Sequence, residues 1–146
     1  MLATIRPDSW DLPLFLHVLG ATLLFGSTAA VAVVGFAGWR RRGDVLLLSR
    51  IMVATFLLAI VPSWILMRVC AQWIDNKEFP SHEPGWVGVG YPVSEGGGVF
   101  LIVVGILAWL SVRRQGSPRL AFAGAVLASI VLIALGVAWF AMSAKP

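Results

Sequence analysis

Four unbroken apolar runs, each near or above twenty residues, constrain this chain more than any other feature. A bilayer core of about 30 Å is crossed by roughly 20 residues of helix. The runs cover about 12–39, 46–73, 93–112 and 120–142. The first holds one ionisable residue, His17. The second holds Arg50 near its start and Arg68 near its end. The third opens at Glu95, and the fourth has no charge. In lipid every backbone N–H and C=O must pair within the protein, which leaves helices or closed barrels. The apolar residues run on without alternating, so the reading is helical. A composition 59% hydrophobic and 12% charged is displaced from soluble domains in the same direction. The first run exceeds the apolar core of a signal peptide, and Asp8 and Asp11 stand where basic residues would precede one. It reads as a retained span. A single cysteine excludes an internal disulfide framework and a zinc site of several cysteines.

Charge sets the orientation. Arg40, Arg41, Arg42, Arg50, Arg113, Arg114 and Arg119 fall in or beside the connections after runs one and three, with Asp44 as the one acid. The opposite side holds Arg6, Arg68, Lys77 and Lys145 among six acids. Seven basic residues against four predict that the first side is cytoplasmic. The expected fold is an all-α, four-helix transmembrane bundle, up-down-up-down, with both termini extracytoplasmic. It forms one integral membrane domain over 1–146, multi-pass in a bacterial plasma membrane. The net charge of +4 does not point to nucleic acid, because no aromatic residues interleave with the arginine clusters as a stacking surface. Trp10, Trp73 and Trp86 fall near the outer interface and Trp39 and Trp109 near the inner one. The outer loop, about 74–92, carries Pro80, Pro84, Gly85, Gly88, Gly90 and Pro92, which predicts no long helix there.

Small residues at helical spacing mark close approach in lipid. Thr22, Gly26 and Ala30 in run one are read as one contact stripe. Ala121, Ala125 and Ser129, with Gly124 and Ala128 beside them, are read as another. Pro62 should kink the second helix. Gly96, Gly97 and Gly98 open the third span, giving a weak first turn or room for a close neighbour.

Ionisable residues within spans are costly and are candidates for function. Arg68 lies 18 residues beyond Arg50, and Glu95 lies 18 residues before Arg113. At 1.5 Å per residue both stand about 27 Å from the inner side. His17 is 23 residues from Arg40, or about 35 Å, and so somewhat higher. With Gln72 these residues form a candidate polar cluster near the outer surface: His17, Arg68, Gln72 and Glu95. A plainer reading stands beside it. Arg68 snorkels to headgroups or pairs with Asp75, and Glu95 offsets the positive end of its helix. Met67 and Cys70, one turn apart, add a thioether and a thiol, and Met142 ends run four at similar height. With His17 they make a candidate metal set of a kind suited to Cu(I). Haem b on a His/Met pair is a further alternative. No phosphate loop, H-E-x-x-H or G-x-S-x-G motif is present, and the expectation is a protein that is not an enzyme.

The stretch His17-Val18-Leu19-Gly20-Ala21-Thr22-Leu23-Leu24-Phe25-Gly26 resembles the first helix of integral membrane proteins related to the copper-resistance D (CopD-like) group. The layout also looks like uncharacterised four-helix proteins of actinobacterial type: the early histidine, the arginine-rich first loop, P-S-W-I-L-M-R-V-C-A-Q-W at 62–73, then G-Y-P at 90–92. The first resemblance implies metal handling, with His17 as the matching residue. The second implies a fold and no activity. The leading expectation is a small accessory or partner-binding subunit without a cofactor. Its partners are the bilayer and other membrane subunits or copies of itself. The alternatives are copper or haem b binding at His17, and an oligomeric channel or transporter.

Overall fold

The computed structural model describes residues 11–40, 43–78 and 87–143. These form α1 (Asp11–Trp39), α2 (Val45–Thr55), a π-turn (Phe56–Ile60), α3 (Val61–Glu78), α4 (Val87–Arg113) and α5 (Pro118–Ser143). The π-turn joins α2 and α3 into one long rod, so four helices are long and apolar enough to cross a membrane. Among the described residues there is no strand. The rods form a ring: α1 against α2–α3 and α5, α4 against α2 and α5.

Two helix boundaries have a plain local cause. Asp44 caps α2, its carboxylate accepting from the Leu46 and Leu47 N–H groups at 2.9 and 3.3 Å. α4 ends where Gln115 and Gly116 take positive φ, and the Gly116 N–H donates to the Ser111 carbonyl. A Cβ on Gly116 would lie 2.7 Å from the Leu46 nitrogen. The two arginine-rich connections therefore meet at one end of the bundle.

The core is built on close approach. Met52 is fully buried, and its methyl group would lie 3.2 Å from a Cβ on either Gly35 or Gly124. Three rods thus converge on one methionine. Two rings of the long rod sit on glycines of α4: Phe56 on Gly105 and Trp64 on Gly98. The expected stripe on α5 is a true contact, with Ala121, Ala125 and Ala128 fully buried. The stripe expected on α1 is not. Thr22, Gly26 and Ala30 are exposed, and a Cβ on Gly26 would meet nothing within 4 Å. The buried face of α1 instead carries Gly20, Leu24, Thr28, Val31 and Gly35.

Two further expectations change, and a third gains a structural form. α3 continues to Glu78 and α4 begins at Val87, so helix occupies most of the stretch read as a loop, and Pro92 lies inside α4. Glycine and proline are tolerated in such helices because neighbouring groups re-satisfy the freed backbone. The three glycines are therefore interior to α4, and Glu95 lies two turns into it, away from the helix terminus. Pro62 is accommodated by the π-turn before it, where the Val61 N–H reaches the Phe56 carbonyl. The wider turn relieves the clash between a proline ring and the carbonyl four residues back.

Candidate functional site

Arg68 and Glu95 meet across α3 and α4. The guanidinium donates to the Glu95 carboxylate at 2.9 Å and to Gln72 Oε1 at 3.3 Å. Gln72 in turn donates to Asn76 Oδ1 at 3.2 Å. Arg68, Gln72 and Asn76 are spaced by four, so they rise along one face of α3. The equal depths inferred for Arg68 and Glu95 agree with this pair. Below it Trp64, one turn earlier on the same face, donates its indole N–H to the Ser94 carbonyl at 2.9 Å. Gly98 makes that possible, since its missing side chain lets the indole lie on α4. Above the π-turn α3 leans on α1, and its backbone contact with α4 is sparse. Trp64 and Arg68 bridge that divergence.

His17 is held differently. Its Nδ1 lies 3.0 Å from the Met67 carbonyl. A carbonyl only accepts, so Nδ1 is the donor in this contact, and in the neutral ring Nε2 is the nitrogen with the lone pair. The contact places His17 level with Met67, lower than its distance from Arg40 implied. Gly20, one turn along α1, allows it. A Cβ there would stand 2.8 Å from the Met67 nitrogen and 3.1 Å from the Ser63 carbonyl oxygen. The candidate cluster is therefore distributed over two sides of α3. His17 sits on the α1 side, and Arg68, Gln72 and Glu95 join on the side facing α4.

Met67 and Cys70 are both buried on α3, at 7% and 3% exposure. The Met142 side chain lies outside the described residues. Among the described residues no group of three His, Cys, Asp or Glu gathers as a metal cage. Asn76 and Trp64 belong to the α3 ladder and were missed in the sequence, although their spacing from Arg68 and Gln72 was a usable signal.

A second polar set lies at the arginine-rich end. Ser49 and Ser111, both fully buried, are 2.7 Å apart at Oγ. The Ser117 N–H donates to Ser111 Oγ at 3.0 Å, and Ser49 Oγ reaches the Val45 carbonyl at 2.8 Å. Two proton orders satisfy the set: Ser111 O–H to Ser49 with Ser49 O–H to Val45, or Ser49 O–H to Ser111 with Ser111 O–H to the Ser117 carbonyl at 3.2 Å. Every hydroxyl proton is used internally, so the set fixes the register of α2 on α4.

No protein-family model, curated protein or solved structure matches this chain.

Proposed function

We propose that this chain is a non-enzymatic, multi-pass protein of a bacterial plasma membrane that serves as an accessory subunit, binding another membrane protein along the α3–α4 flank. The bundle runs up-down-up-down with both termini extracytoplasmic. The meeting of the two arginine-rich connections at one end supports that orientation. The ion pair carries the functional reading. Glu95, the one acid of α4, is 61% exposed, while Arg68 is 22% exposed. An exposed ion pair contributes only about 0–1 kcal/mol to stability. A carboxylate on a helix flank near lipid is disfavoured. Pairing with Arg68 lowers the cost of that carboxylate, and its exposed face leaves it open to a partner with matching polar groups. Asn76 and Gln72 extend the polar edge to which such a partner would bind.

The test is photo-crosslinking in the native membrane with a reactive side chain at Gln72 or Asn76, and at Ile133 as a lipid-facing control. A discrete protein adduct at 72 and 76, absent at 133 and lost with Arg68→Ala, is expected. Lipid adducts alone at all three positions would remove the reading.

A second reading rests on the His17 imidazole. Histidines that bind metals usually donate their other ring N–H to a carbonyl or carboxylate, as Nδ1 does to Met67 here. Nε2 would be the ligand atom for copper or haem b. Purified protein carrying copper or a Soret band, lost on His17→Ala, supports this reading; a colourless, metal-free protein excludes it.

A further inference from the structure

At the arginine-rich end an open groove of about 370 Å³ runs between the long rod and α4. Val53, Leu57 and Leu58 form one wall, and Trp109 and Val112 form the other. Leu57, Leu58 and Trp109 are 58%, 79% and 46% exposed, so the groove opens sideways, toward lipid in a membrane. Its one charged lining residue is Arg50, which is exposed and pairs with no carboxylate among the described residues. The Ser49–Ser111 hydrogen bond sets the antiparallel register of α2 on α4, which puts Arg50 within about one helical turn of the level of Arg113. Arg113 lies over the Trp109 ring at 4.4 Å from its centre. The Arg50 guanidinium thus lines an otherwise apolar trough, and that of Arg113 stacks on Trp109, a residue of its wall.

Length distinguishes the occupants. Arg50 and Leu58 are eight residues apart, or about 12 Å of rise. A transmembrane helix needs about 30 Å of contact, whereas one leaflet of the hydrocarbon core is about half that. The groove fits one leaflet, with its cationic end at headgroup depth. We infer that this groove seats an acyl chain of a phospholipid whose anionic headgroup rests on Arg50 and Arg113. The guanidinium of Arg50 supplies charge-assisted hydrogen bonds to phosphate oxygens. Stacking on Trp109 keeps the second guanidinium at the interface. The hydrocarbon chain lies along Leu57 and Leu58, where the π-turn sits.

The test uses the full chain reconstituted in phosphatidylcholine vesicles with a trace of phosphatidylglycerol bearing a photoreactive acyl chain. A photoreactive phosphatidylcholine serves as the comparison. Adducts are mapped by peptide mass spectrometry. Labelling is expected to concentrate between Val53 and Leu58 and at Trp109, with the anionic lipid preferred. Arg50→Gln should reduce that preference about fivefold, the factor one basic residue contributes near an anionic membrane surface. Arg50→Lys should retain it. Ala54→Phe, at an exposed position in the groove, should abolish labelling with either lipid without touching the core. The inference is overturned if label spreads evenly to Val33 and Ile133, or if headgroup charge makes no difference. It also fails if the groove forms adducts with a second copy of this chain in place of lipid.

Discussion

At Gly20 the absence of a side chain sets how close α1 and α3 come. A methyl group there would meet the Met67 backbone at 2.8 and 3.1 Å, and a backbone cannot rotate aside. Gly20→Ala must therefore push the helices apart and stretch the His17–Met67 hydrogen bond. The expected loss is about 1–3 kcal/mol, the scale of overpacking. Gly26→Ala meets nothing, so it should be neutral or stabilising by about 0.5–1 kcal/mol through helix propensity. Unfolding both variants in mixed micelles by detergent titration measures the difference. Equal effects would mean that Gly20 is not a contact. The pair also explains a misreading of the sequence. Gly20 and Gly26 are six residues apart, which puts them about 120° apart around a helix, on different faces. Both belong to runs of small residues, and spacing alone does not say which run faces the protein. The polar residues were more legible. Arg68 and Glu95 were rare charges in apolar runs, and counting from the inner arginines gave them equal depth. Asn76 was missed because it lay beyond the apolar run.

The long rod is an element with a fault built into it. Pro62 was readable as a disruption, and its consequence is a π-turn at Phe56–Ile60. That turn carries the Phe56 ring onto α4, 2.6 Å from where a Cβ of Gly105 would stand. Above it the rod turns to α1 and diverges from α4, which leaves the Trp64 and Arg68 bridge. Proline thus shapes both the groove below and the polar flank above. If Phe56 and Gly105 are one contact, their substitutions must be coupled. Gly105→Ala alone should destabilise by about 1–3 kcal/mol through overpacking. In Phe56→Ala the new methyl group has room, so the double variant should be less damaged than the two losses added. The expected coupling is about 0.5–3 kcal/mol by detergent unfolding. Additive losses would break the link between the π-turn and α4. Helix ends were less legible than helix existence. Glycine and proline counts shortened α3 and α4 because rules for water were applied to segments at the membrane boundary.

Across the whole molecule, charge and packing bear on one axis. Gly116 abuts the start of α2, which brings the connections around Arg40 and Arg114 to the same end of the bundle. That end should be cytoplasmic, since seven basic residues serve it against four on the other side. Cys70 is the one cysteine and is 3% exposed, so single cysteines can be introduced elsewhere against a quiet background. In intact cells an impermeant maleimide should label Asn76→Cys and leave Gln115→Cys untouched until the membrane is opened. The reverse pattern would invert the bundle and move the groove lipid to the outer leaflet. The charge argument itself can be weighed separately. Replacing Arg40, Arg41 and Arg42 by Asn lowers the cytoplasmic side from seven basic residues to four, level with the other side. With the bias removed, chains should insert both ways and Gln115→Cys should become partly accessible. Full protection after that change would mean that some other part of the chain, rather than the arginine bias, fixes the orientation.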